Sequence, residues 1–176
     1  HVTLEGAGMG LTCVHYANCE VFNPHPLTVK TNEYPGTFPS RRAAFMLDNC
    51  SDIALRHMTI ATDMRGQAEG LLLNGERMVL DSIHIIGSGD ALQANGSIYM
   101  QYCEMDGGGD TFLGRGALYA YRCNLRNDGG PFTWVRNTKA SHGDVFVECT
   151  FSTTNGRPVD FGRCPAQKHT SYPDAE

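Results

Sequence analysis

Apolar and polar residues alternate in short runs that recur along the chain: IALRHMTI from Ile53, LYAYRCNL from Leu118 and VFVECTF from Val145. Alternation with period two predicts half-buried β-strands. Between them lie two consecutive segments of equal length, Arg77 to Gly96 (RMVLDSIHIIGSGDALQANG) and Ser97 to Gly116 (SIYMQYCEMDGGGDTFLGRG), each ending in a Gly-Asp step, apolar residues and a closing glycine. A repeat of this period is the mark of a solenoid. The runs come into register when Met58, Ile83, Cys103, Cys123 and Cys149 share one stacked inward position. No stretch shows sustained 3.6-residue periodicity with caps, so at most a short helix is expected. The pattern predicts an all-β chain, a right-handed parallel β-helix with coils of about 20–27 residues.

The register gives the repeat its chemical interest. Asp90 follows Ile83 by the same interval as Asp110 follows Cys103. On adjacent coils, about 4.8 Å apart, the two carboxylates become neighbours. Gly87, Gly89, Gly107, Gly108 and Gly109 precede them and suit tight bends between short strands. Close carboxylates separate their proton affinities, so that one stays ionised while the other holds a proton. That division suits an acid/base beside a nucleophile and requires no metal. Gln67 falls at nearly the same register on the preceding coil, where its amide N–H is placed to stabilise an oxyanion. Arg163 falls on a later coil, where a guanidinium is placed to orient an aspartate.

Composition narrows the field. The chain has 176 residues, 41% hydrophobic, and a formal net charge of −5, with no long basic run. Nucleic-acid binding is not expected, and no apolar stretch is long enough to span a bilayer. One domain covering 1–176 is expected. The chain opens at His1 directly into VTLEG and stops at Glu176 without a capping coil, so truncation at both ends is expected as well. Residues 23 to 42 hold four of the eight prolines and read as a loop excursion from an early coil. Seven cysteines show neither a Cys-x-x-Cys step nor a Cys/His set, which argues against zinc; Cys103, Cys123 and Cys149 read as a stack of buried thiols. No metal or other cofactor is expected.

Four motifs in order resemble those of the pectin methylesterases, which are right-handed parallel β-helices: Gln67-Ala68-Glu69-Gly70-Leu71 is similar to Q-A-V-A-L, Gly89-Asp90-Ala91-Leu92-Gln93 to Q-D-T-L-Y, Asp110-Thr111-Phe112-Leu113-Gly114 to D-F-I-F-G, and Phe161-Gly162-Arg163-Cys164-Pro165 to L-G-R-P-W. The resemblance implies Asp110 as nucleophile, Asp90 as acid/base, Gln67 as oxyanion donor and Arg163 as the residue that orients Asp110. It also implies a pectin (homogalacturonan) substrate, a secreted or periplasmic location, and a monomer with neither nucleic-acid nor membrane partner. The chain departs from the family at Gly89, where a second glutamine is missing, at Gln93 in place of tyrosine, and at Cys164-Pro165 in place of the last motif's ending.

Beside the site, Trp134 is a candidate sugar-stacking platform. Phe112 and Gln93, within the motifs, are further candidates for substrate binding. Arg115 and Arg136 are candidates to meet the carboxylates of unesterified sugars. Three alternatives stand beside the esterase: a related β-helix esterase acting on a non-pectin acyl group, a β-helical glycosidase, and a non-catalytic polysaccharide-binding β-helix.

Overall fold

The computed structural model describes residues 1–19, 42–63, 66–137 and 142–163. Most of the expected loop excursion at 23–42, and Cys164-Pro165 of the last motif, lie outside the described residues. Within them the chain is all-β, without a helix of any length and so without one that could cross a membrane.

The strands are β1 (Val2–Glu5), β2 (Cys13–Tyr16), β3 (Phe45–Ser51), β4 (Ile53–Thr62), β5 (Leu71–Ile86), β6 (Leu92–Gln101), β7 (Glu104–Gly107), β8 (Phe112–Gly114), β9 (Ala117–Tyr121), β10 (Asn124–Asn127), β11 (Thr133–Val135), β12 (Asp144–Val147) and β13 (Thr150–Thr153). All pair in parallel within one curled sheet. The pairing resolves into three ladders. The first runs through β2, the end of β4, the end of β5, β7, β10 and β13. The second runs through β3, the start of β5, the start of β6, β8 and β11. The third runs through β1, the start of β4, the middle of β5, the end of β6, β9 and β12. The repeat read from the sequence is thus a repeat of pairing: Leu92 pairs with Phe112, and Tyr99 with Tyr119.

Side chains facing inward from the three ladders fill one core. Met58 and Ile83 are paired neighbours, and both are buried with Cys103 and Cys123, while Cys149 packs on them half-buried. All three cysteines are free thiols. Stacked one coil apart, their Sγ atoms reach the neighbouring backbone, as in Cys123 N–H donating to Cys149 Sγ at 3.4 Å. Toward the later coils the core turns aromatic: Phe132, Phe146, Phe151 and Phe161 meet edge to face at 4.9 to 6.0 Å between centroids.

The corner that leads from the third ladder into the first has a shared backbone signature. His57, Ser82, Tyr102, Arg122 and Glu148 all sit at positive φ, between 51° and 55°, immediately before the inward positions 58, 83, 103, 123 and 149. This left-handed conformation costs a residue with a Cβ about 1–2 kcal/mol. It recurs because each coil must turn at the same height for the ladders to stay in register. The opposite corner, between the second and third ladders, also turns through positive φ, at Asn49, Asp52, Arg77 and Gly96, and is held by side chains as well: Asn74 Nδ2 donates to Asp48 Oδ1 at 2.9 Å, Asn95 Nδ2 to Asn74 Oδ1 at 2.6 Å, and the Arg115 backbone N–H to Asn95 Oδ1 at 3.2 Å. Asp90 and Asp110 lie at the remaining corner, between the first ladder and the second.

Candidate active site

The chain turns sharply at this corner because its residues leave little room for anything else. A side chain at Gly87 would run into the Asp90 carbonyl, and Gly89 adopts φ 90°, a conformation glycine alone adopts freely. The turn carrying Asp110 stacks on the turn carrying Asp90 through a hydrogen bond from Gly109 N–H to the Gly89 carbonyl. From the other side Asn127 holds it: its Nδ2 donates to Gly109 O at 2.6 Å, Thr111 Oγ1 at 2.8 Å and Pro131 O at 3.2 Å, while its Oδ1 accepts from Gly129 and Gly130 N–H at 2.7 and 2.8 Å. Asn127 is wholly buried, and one amide thereby fixes two successive turns.

Asp90 and Asp110 are 3% and 5% exposed, and both open onto a cleft of about 600 Å³ that Gln67, Gly109, Pro131 and Arg163 also line. Arg163 grips Asp110 with two parallel bonds, Nε to Oδ1 at 2.8 Å and a terminal nitrogen to Oδ2 at 2.6 Å. Such a fork fixes the plane of a carboxylate. Asp90 has a different environment. Gln67 Nε2 donates to its Oδ2 at 3.0 Å, and Arg42 reaches the same oxygen at 3.3 Å. Burial first, and then the nearby carboxylate of Glu69, push the Asp90 carboxyl up to about 6, against the opposing pull of Gln67 and Arg42. One aspartate is therefore oriented by a guanidinium and the other is poised to hold a proton near neutrality. No group of three or more His, Cys, Asp or Glu residues able to hold a metal occurs among the described residues.

The other sequence candidates fall in different places. Trp134 lies next to the cleft, but its ring meets cations: the Arg163 guanidinium lies 3.5 Å from the ring centroid and that of Arg136 4.1 Å. Phe112 points inward, 2% exposed, and packs edge to face on Phe146, so it does not line the cleft; the alternation along β8 turns its side chain to the core. Gln93, expected at the substrate, is 1% exposed on β6 between Leu72 and Leu113 and is not among the residues that line the cleft. Arg115 lies beyond the far end of β8 and lines a separate hollow with Asn74 and Asn95, because the strand carries it to the next corner. Arg136 is buried beneath Trp134 rather than presented to a ligand.

Two residues at the site were not foreseen. Glu69 and Arg42 are both buried and pair through Arg42 Nε at 3.1 and 3.0 Å and a terminal nitrogen at 2.7 Å. Glu69 stands within the first of the four motifs at the place of an apolar residue, and that substitution was the available signal.

Comparison with solved structures bears on the fold. A pectin methylesterase from Yersinia enterocolitica superimposes with a TM-score of 0.78 at 20% identity, over 99% of this chain and 64% of that one. The chain shares the fold of the pectin methylesterases. PemA from Erwinia chrysanthemi, also a pectin methylesterase, gives a TM-score of 0.73 at 14% identity over 92% of this chain and 57% of its own. A pectin methylesterase solved in complex with a hexasaccharide gives 0.70 at 14% identity, again over 57% of its length. The chain thus spans less than two thirds of the pectin methylesterases it superimposes on. No protein-family profile matches it, and no curated protein does.

Proposed function

We propose that this protein is a carbohydrate esterase that hydrolyses the methyl esters of galacturonate in pectin, built on a right-handed parallel β-helix and acting outside the cell or in the periplasm. The observation that carries the reading is the pairing of unlike aspartates on adjacent turns: Asp110 held by Arg163, and Asp90 with its carboxyl raised to about 6. The shared fold supports it.

In the reaction, an Asp110 oxygen attacks the ester carbonyl carbon and forms a C–O bond. The tetrahedral intermediate's oxyanion accepts the Gln67 N–H, which in the resting site rests on Asp90. Collapse breaks the bond to the methoxy oxygen, Asp90 gives that oxygen its proton, and methanol leaves. Asp90, now ionised, takes a proton from water as the water attacks the acyl–Asp110 anhydride. The galacturonate carboxylate departs, and Asp110 returns to Arg163. Acylation needs Asp90 protonated, so kcat/KM falls as pH rises through about 6.

Methanol release from highly methylated pectin tests the reading, with reducing ends assayed in parallel. Asp110→Asn is expected to lower kcat by roughly 1,000-fold or more, and Gln67→Ala by on the order of 100-fold. Full methanol release by Asp110→Asn would exclude the assignment. New reducing ends would make the protein a glycosidase, and saturable glycan binding without turnover a binding module.

A further inference from the structure

Behind Asp90 stands a buried ion pair that the reaction as described does not use. Glu69 and Arg42 bury their side chains almost completely, and a buried pair is costly to desolvate; apolar residues of the same volume would hold the fold as well. Its frame is rigid. Ala68 and Ser88 exchange two backbone hydrogen bonds, at 2.6 and 2.9 Å, which clamp the Gln67–Glu69 segment onto the turn carrying Asp90, and Ala44 N–H donates to the Glu69 carbonyl at 2.9 Å, tying in the segment that bears Arg42. The contact between Arg42 and Asp90 is thus set by backbone on both sides.

The geometry at Asp90 is asymmetric. Gln67 and Arg42 both donate to Oδ2. An oxygen that already accepts two N–H groups is a poor place for a proton, so the proton of neutral Asp90 goes to Oδ1. Oδ1 faces the other turn: a methyl group placed on Gly109 would lie 3.1 Å from it. The proton therefore sits on the side of Asp110. Arg42 alone would do this at a cost, because its charge would strip the proton from Asp90. Glu69 engages that charge through three hydrogen bonds, against the single one that Arg42 gives Asp90.

We propose that Arg42 and Glu69 act together as a positioning pair for the acid/base Asp90: Arg42 directs its proton to the oxygen facing Asp110, and Glu69 lets Asp90 keep that proton at working pH. The inference rests on the reading of Asp90 as acid/base given above. The charged groups that face Asp90 among the described residues are Glu69, Arg42 and Asp110, the last under Arg163. Glu69→Gln removes the carboxylate that opposes Arg42 and takes away neither hydrogen bond to Asp90.

The test is a carbon-13 NMR titration of the Asp90 carboxyl in the free protein, its resonance assigned by its loss in Asp90→Asn. In Glu69→Gln the midpoint is expected to fall by about one unit or more. In Arg42→Met/Glu69→Leu, which removes both charges and keeps an apolar filling, it is expected to lie above that of Glu69→Gln. An unchanged midpoint in Glu69→Gln, or equal midpoints in the two variants, overturns the pair's role. The titration needs no substrate, so it separates this inference from the esterase reading: a shifted midpoint in a protein that releases no methanol upholds the pair and removes the esterase. With turnover, the alkaline limb of kcat/KM moves down in pH with the NMR midpoint, whereas a merely structural role lowers kcat without moving the limb.

Discussion

Trp134 illustrates how one side chain takes its role from its neighbours. The Arg163 guanidinium rests against its ring at 3.5 Å, while the same guanidinium grips both oxygens of Asp110, and its side chain is 39% exposed. An arginine so open to water has many rotamers available, and a contact of this kind is worth about 0.5–2 kcal/mol toward holding one of them. Trp134→Leu is therefore expected to lower kcat roughly 2- to 30-fold, with KM changed much less, since the loss falls on the orientation of Asp110. Steady-state kinetics on methylated pectin check it; a rise in KM at constant kcat would mean that the ring stacks on sugar instead. The two aspartates, Gln67 and Arg163 were legible from residue type and register, because a repeat brings equal positions side by side whatever the rest of the chain does. Glu69 and Arg42 were not, for a hydrophobic pattern gives no sign of a charge that is buried because it is paired. Phe112 and Gln93, both buried, lie on strands, where a shift of one position turns a side chain to the other face of the sheet.

At the scale of the strands, the sequence showed runs of the first and third ladders, where alternation survives in β4, in β9 with β10 and in β12 with β13, whereas the second ladder is buried along its length at Leu71–Leu73, Leu92–Ala94 and Phe112–Gly114. It did not show how the coil turns from the third ladder into the first. That corner is made by histidine, serine, tyrosine, arginine and glutamate in a left-handed conformation, none of which signals a turn as glycine or asparagine does. The corner between the second and third ladders is more demanding. Gly96 sits at φ 125°, and a Cβ there would come within 1.8 Å of the Gly75 carbonyl on the coil below. Neither the backbone angle nor the neighbouring strand can yield without breaking the register of β5 and β6. Gly96→Ala is expected to cost about 3 kcal/mol or more, whereas Gly129→Ala, at ordinary φ with its nearest neighbour 3.7 Å away, is expected to stay within about 0.5 kcal/mol of the parent. Urea denaturation of the two variants measures the difference. Equal midpoints would mean that the coil tolerates a local slip at this corner.

For the molecule as a whole, the buried carboxylates set the pH at which the fold is most secure. Asp144, on β12, is pushed up to about 7 from 3.8 by burial, with only a backbone hydrogen bond at Leu118 opposing it, and its Oδ1 has no partner among the described residues. Asp90 is raised to about 6. Both groups hold protons in the folded state that the unfolded chain has released, so their contribution to stability is full below about 3.8 and is lost as pH rises through about 6 and about 7. Asp106 acts in the opposite sense. Burial raises it, but hydrogen bonds from His84 and Arg126 prevail and bring it down to about 2, so its contribution is present above 3.8 and lost as pH falls toward 2. Together they place the stability maximum near pH 4, with stability falling from there toward both acid and neutral pH. Asp144→Asn keeps the side chain's shape and removes the charge that burial opposes. It is expected to raise the melting temperature at pH 8, by an amount corresponding to at most about 4 kcal/mol, and to leave it nearly unchanged at pH 4. Thermal unfolding at the two pH values decides the matter: the same change at both would mean that Asp144 acts through packing, and that the loss of stability toward alkaline pH arises at Asp90 and its buried partners.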